Sequence, residues 1–200
     1  EEVLQLERLK EKFSQIYSDV LLHLYPERSY KGGAIYHSWQ QFPDADYYAF
    51  VDADGAVSAD EFMRMLNCAT VSENLDMSFV AVRQFSGSLA VDRSLLRRVT
   101  FHLFRTLVRS IVGLKWMDTQ CGAKVISGRA YRAVSERLVE DGFVFDVELL
   151  STLELGAWPI TELPIMWQEI PGSKLRLWRD LWFMTRGLMR IRRRLNTCDL

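Results

Sequence analysis

Tyr47-Tyr48-Ala49-Phe50-Val51-Asp52-Ala53-Asp54-Gly55 is an apolar run that ends in two carboxylates and a glycine. A short apolar stretch bounded by turn residues reads as a buried strand. Side chains alternate along a strand, so Asp52 and Asp54 converge on one ligand only if the strand ends at Asp52 and turns through Ala53-Asp54-Gly55. Gly55 permits that turn, because glycine reaches positive φ without steric cost. Ser58-Ala59-Asp60-Glu61 follows as a capping box and predicts a helix over Phe62, Met63, Met65 and Leu66. The aspartates thus stand at the carboxyl end of a strand, where open α/β sheets bind ligands. Paired hard oxygens there suit Mg²⁺ or Mn²⁺ carrying a substrate diphosphate. Asp44-Ala45-Asp46 has the same spacing but precedes the strand, after Pro43, and reads as a solvated connection.

Outward from this point the chain alternates. Val3, Leu6, Leu9, Phe13, Ile16 and Tyr17 recur at helical spacing, so the sequence opens inside a helix without a cap. Val20 to Leu24 reads as a short buried strand, and Lys31-Gly32-Gly33 opens a helix through Gln41. Beyond the capped helix come a strand over Met77 to Arg83, a long helix over Arg93 to Val112 and a short strand over Ala123 to Ile126. Helices around Tyr131 to Val139 and Phe145 to Leu155, a strand from Pro159 to Trp167 and a final Arg-rich helix complete the order. Such alternation predicts an α/β sandwich with a largely parallel sheet.

Composition sets bounds. The 200 residues, 48% apolar and 26% charged, suffice for one domain with a sizeable core. No run approaches the roughly 18 apolar residues of a membrane span. Cys68, Cys121 and Cys198 are isolated, which suggests neither a disulfide framework nor a thiolate zinc site and fits a reducing, cytosolic compartment. The net charge of −1 conceals segregation: Glu1 to Val82 carries 6 basic and 14 acidic residues, Arg83 to Lys115 carries 7 and 1, and Ser173 to Leu200 carries 8 and 2. The two basic blocks call for an anionic partner.

Asp118-Thr119-Gln120-Cys121-Gly122-Ala123-Lys124, Phe145-Asp146-Val147-Glu148 and Glu169-Ile170-Pro171-Gly172-Ser173-Lys174 join Asp52-Ala53-Asp54 and the glycine-rich Lys31-Gly32-Gly33-Ala34 in a fixed order. Together they resemble the family 2 glycosyltransferases that load a sugar onto a polyprenyl phosphate, in particular the dolichyl-phosphate β-glucosyltransferase type and its bacterial relatives. The likeness runs from about residue 30 to the C-terminus. It implies a GT-A fold over residues 1–174, partial at its N-terminus, acting on a nucleotide sugar such as UDP-glucose in glycan or cell-envelope biosynthesis. The same resemblance implies roles. Asp54, with Asp52, would hold the metal, Lys31 and Lys174 would contact the donor, and Asp118, Gln120 and Asp146 would line the reacting centre. Asp146 and Glu148 are two apart on a predicted helix, about 200° around it, so only one can face the site. Asp146 is assigned to the site and Glu148 to a structural salt bridge. Cys121 reads as a small packing residue, because no base or cation is specified beside it.

The chemistry can also be argued from first principles. A phosphate monoester has its second pKa near ~6, so an acceptor phosphate is already largely dianionic and needs no strong base. The difficulty is bringing two anions together, which requires a divalent cation on one and arginines on the other. Arg83, Arg97 and Arg98 are the candidates for the acceptor phosphate, since a guanidinium donates two parallel hydrogen bonds. A solvated helix face is an equal reading for Arg105 and Arg109. Residues 175–200 interleave Trp178, Trp182, Phe183 and Leu188 with Arg176, Arg179, Arg186, Arg190 and Arg192 to Arg194. That is the composition of an amphipathic helix on an anionic membrane surface, which places the protein peripherally on the cytoplasmic face. Nucleic acid is disfavoured as a partner by overall acidity and the lack of a nucleic-acid motif.

The chain departs from the family pattern in having no counterpart of the first β-α-β, which holds the nucleoside. Phe101 also stands where relatives often carry a small hydroxyl residue. Two rival readings follow. Phe50-Val51-Asp52-Ala53-Asp54-Gly55 also resembles the first motif of haloacid-dehalogenase-type phosphatases, with Asp52 as nucleophile and Asp54 as general acid. The other rival is a non-catalytic, membrane-associated module.

Overall fold

The computed structural model describes residues 2–24, 30–84, 95–168 and 177–197, the side chains of 2, 95–100 and 177–180 excepted. Among the described residues seven α-helices and four strands follow in the order α1 (Glu2–Ser14), α2 (Lys31–Gln40), β1 (Tyr47–Val51), α3 (Ala59–Thr70), β2 (Ser78–Gln84), α4 (Leu95–Ile111), β3 (Ala123–Ser127), α5 (Gly128–Val134), α6 (Phe145–Leu155), β4 (Ile160–Met166) and α7 (Leu177–Thr197). The predicted cap is present: the Ser58 hydroxyl accepts from the Glu61 amide at 3.2 Å, while the Glu61 carboxylate pairs with Arg64. Gly55 supplies the turn after β1 with φ +77.

The sheet order is β1-β3-β2-β4. The expectation of a largely parallel sheet is corrected in its ladders: β3 runs antiparallel to both β1 and β2, and only β2 and β4 pair in parallel. The reason lies in where β3 starts. Chain direction brings β1 and β2 to one edge of the sheet, at Asp52 and Arg83, whereas β3 departs from that same edge, with Ala123 opposite Val51. A second correction concerns Val20 to Leu24, which is irregular rather than a strand. None of the described sheet ladders includes it. The apolar stripe of α1, Leu6, Leu9 and Phe13 included, is exposed.

Alternation along the strands divides the core. Tyr48 and Ile126 face α2, α5 and α6, packing with Trp39, Tyr131, Phe145 and Leu149, while Phe79, Ala81, Ala123 and Val125 face α3 and pack with Met65 and Ala69. Val80 joins a third cluster with Phe104 and Val108 of α4, Val147 and Leu150 of α6, and Leu188 and Ile191 of α7. The basic last helix is therefore partly built into the body of the protein. Arg190 and Arg194 turn inward to the buried Glu140, and Arg194 also meets Glu148, so these two arginines are engaged by the protein's own carboxylates.

Candidate active site

The carboxyl ends of β1 and β2 and the turn before β3 meet at one edge of the sheet, and each brings charge. At the end of β1 the Asp52 amide donates to the Gly122 carbonyl at 2.8 Å, locking the first aspartate beside the second motif. Glycine at 122 leaves room for Asp52, because a Cβ there would fall onto the Asp52 carboxylate and displace it. Asp52 Oδ1 pairs with Lys31 Nζ at 2.6 Å, with both side chains about one-third exposed. Lys31 in turn lies 5.1 Å from the Phe50 ring and 5.6 Å from the Phe145 ring, within cation–π range. Asp54 is exposed and fixed by its own turn, Oδ1 accepting from the Ala56 amide at 3.0 Å. Asp44 and Asp46 are exposed in the connection before β1, as expected.

The end of β2 is occupied differently. Arg83 grips Asp118 with two parallel bonds, Nε to Oδ2 at 2.5 Å and Nη2 to Oδ1 at 2.8 Å. Asp118 is only 3% exposed and also accepts from the Gln120 amide at 3.1 Å. Burial opposes the charge on Arg83, but the hydrogen bonding to Asp118 and the negative charge of Asp118 and its neighbours together outweigh it and raise the guanidinium pKa. The Phe101 and Trp167 rings flank that guanidinium at 5.0 and 5.5 Å. The departure at Phe101 is thus an aromatic wall against Arg83. The Gln120 side chain donates to the Phe143 carbonyl at 3.3 Å, tying this turn to the loop before α6.

Asp146 lies one layer below. It is 3% exposed, and Lys124 Nζ approaches its Oδ1 at 2.6 Å, close enough for an ion pair but too oblique for a hydrogen bond. Burial raises the Asp146 pKa against the pull of Lys124. Glu148 points the other way, accepting from the Val139 and Glu140 amides and from Arg194, which is the structural salt bridge its spacing predicts. Cys121 is fully buried and its thiol is pushed up to about 11 by burial, in keeping with a packing role. Arg97 and Arg98 lie on α4, but their side chains fall outside the described residues, as does all of Lys174. Arg109 is exposed on α4, its guanidinium donating to the Lys115 carbonyl.

Among the described residues no group of three or more His, Cys, Asp or Glu could hold a metal ion. Two carboxylates at a solvent-facing edge do fit Mg²⁺ or Mn²⁺ that takes its remaining ligands from a diphosphate and water. A groove of about 490 Å³ runs between α2 and the open edge of β1, lined by Ile35, Trp39, Phe42 and Phe50. It is lined mainly by apolar residues and contains none of the charged candidates. Lys124 ends the Asp118–Lys124 motif with no role legible in the sequence, since a lone lysine gives no sign that it will be buried.

The α/β body matches solved structures in its fold. Glucosyl-3-phosphoglycerate synthase from Mycobacterium tuberculosis, solved with uridine diphosphate, superposes with a TM-score of 0.58 at 17% identity, over 86% of this chain and 57% of that one. The same enzyme with phosphoglyceric acid gives 0.59 at 16% identity. The class of fold is GT-A. No family model matches the chain. Over most of its length, however, the chain is a distant homologue of the dolichyl-phosphate β-glucosyltransferases. It is 30% identical to that of Saccharomyces cerevisiae over 194 residues, 92% of this chain and 58% of the yeast protein. The Dictyostelium discoideum protein is 31% identical over 149 residues, 73% of this chain and 46% of its own length. The chain thus spans about half the length of these relatives.

Proposed function

We propose that this chain carries the catalytic edge of an inverting hexosyltransferase that moves glucose from UDP-glucose, or a related UDP-sugar, to a polyprenyl or dolichyl phosphate at a membrane surface. The observation that supports it is the meeting, at one sheet edge, of an open carboxylate pair with a lysine and a closed arginine–carboxylate pair. The homologues' names give the acceptor class, and one fold relative was solved with uridine diphosphate. Asp54, with Asp52, would hold Mg²⁺ or Mn²⁺, which when bound neutralises charge on the donor diphosphate. Lys31 stands beside Asp52 as a second positive charge for that diphosphate, with Lys174 following β4 in sequence. The acceptor phosphate is already an anion. Its oxygen forms the new bond to the anomeric carbon from the face opposite the diphosphate, whose bond to that carbon breaks, and the configuration inverts. Both Asp118 oxygens are taken by Arg83, which leaves Asp118 to orient the sugar and steady positive charge rather than to collect a proton. Arg83, Arg97 and Arg98 form the acceptor side.

The acceptor's tail stays in the bilayer, so the enzyme must come to it. Among the described residues no helix is long and apolar enough to cross a membrane. α7 instead exposes Trp182, Phe183 and Met189, with Arg186 stacked 3.8 Å over Trp182, a surface suited to an anionic leaflet from the cytoplasmic side. The test is transfer of labelled glucose by the full-length protein to undecaprenyl or dolichyl phosphate in vesicles with Mn²⁺ or Mg²⁺. A glycolipid of inverted anomeric configuration is expected. Hydrolysis of a simple phosphate ester that depends on Asp52, with no glycolipid formed, would replace this reading with the phosphatase one.

A further inference from the structure

Lys124 is fully buried on the central strand β3, and its alternation partner Ile126 points into the same aromatic cluster. An apolar residue would fill that position without the cost of burying a charge. The ammonium is nevertheless satisfied. It donates to the Thr119 carbonyl at 3.1 Å and the Cys121 carbonyl at 2.9 Å, meets Asp146 at 2.6 Å, and sits 5.4 Å from the Phe50 ring. Two hydrogen bonds to carbonyls and one ion pair to a carboxylate thus hold the charge. The two carbonyls belong to the turn that carries the chemistry. Within that turn Asp118 accepts the Gln120 amide, and Gly122 accepts the Asp52 amide. A pull on the carbonyls of residues 119 and 121 therefore acts on both sides of the site at once.

We propose that Lys124, with Asp146 as its counter-ion, is the positioning residue that sets the Asp118–Gly122 turn from beneath and thereby the spacing between the Asp118 carboxylate and Asp52. Neither side chain touches substrate; Asp146 acts through Lys124. The catalytic consequence rests on the glycosyltransferase reading above, while the structural claim does not.

The test uses the full-length protein. Lys124→Met alone strands a buried carboxylate and destabilises the chain. The decisive form is the pair Lys124→Met with Asp146→Leu, which removes both charges and restores thermal stability close to wild type. In that variant kcat for sugar transfer is expected to stay about 100-fold down, because a displaced turn misplaces the reacting groups. The donor KM should change by no more than about threefold. Hydrogen exchange at the Gln120 amide should quicken about tenfold while amides between β2 and β4 keep their protection. A double variant with wild-type kcat and wild-type protection at Gln120 would make the pair a packing element only and overturn the proposal. Should the wild type transfer no sugar, the glycosyltransferase reading falls, and the exchange at Gln120 still decides the role of Lys124.

Discussion

The Asp52-Ala53-Asp54 turn and the Asp118–Lys124 turn lie side by side, yet the protein treats them in opposite ways. Among the described residues Asp54 is exposed and held by the Ala56 amide of its own turn, and Asp52 pairs with Lys31 at the surface. Asp118, by contrast, is saturated by Arg83 and the Gln120 amide, and the turn it begins is pinned from below by Lys124. A carboxylate left unsatisfied at an edge is available to a ligand the protein does not supply. One satisfied on every side is a fixed reference point against which that ligand is positioned.

Substitutions should separate the two turns. The largest effect is expected from Arg83→Met, which leaves Asp118 buried without its cation: a loss of about 3–5 kcal/mol in chemical denaturation, with transfer abolished alongside. Asp54→Asn should do the reverse, lowering transfer about 100-fold while changing stability by less than about 0.5 kcal/mol, since its side chain is exposed. A smaller, pH-dependent effect is expected at Glu140. Burial pushes its carboxyl up, but bonds from Arg190 and Arg194 outweigh burial and hold it below its ordinary value of 4.5. A lowered folded-state pKa stabilises above the unfolded value and ceases to do so as pH falls through the folded one. Thermal melts of wild type and Glu140→Gln should therefore differ most above pH 4.5 and converge in more acid solution. Ser58→Ala should be mildest, costing about 1 kcal/mol of stability through the lost cap and leaving transfer unchanged.

Much of this contrast is legible in the residues. The apolar run into Asp52, the glycine turn and the Ser58 cap specify strand, turn and helix locally, and α6 falls where Phe145 to Leu155 predicts it. The opposite directions of Asp146 and Glu148 follow from helical spacing alone. Strand direction is not local information: an apolar run such as Ala123 to Ser127 looks the same whichever way it pairs, so the antiparallel β3 escapes a reading based on alternation. Val20 to Leu24 shows the converse, an apolar run that joins no described ladder of the sheet. Arg190 and Arg194 look like membrane-facing charges until Glu140 and Glu148, some 50 residues earlier, are brought beneath them. Lys124 is hidden for the same reason, since its partners Phe50 and Asp146 are brought to it only by the fold.

The claim that the open turn binds the donor and its metal, while the closed one positions the reaction, is tested most directly by Mn²⁺-dependent glucose transfer to polyprenyl phosphate in wild-type and Asp54→Asn full-length protein. The account predicts that transfer collapses in the variant while the melting curves overlay. Undiminished transfer by Asp54→Asn would contradict it.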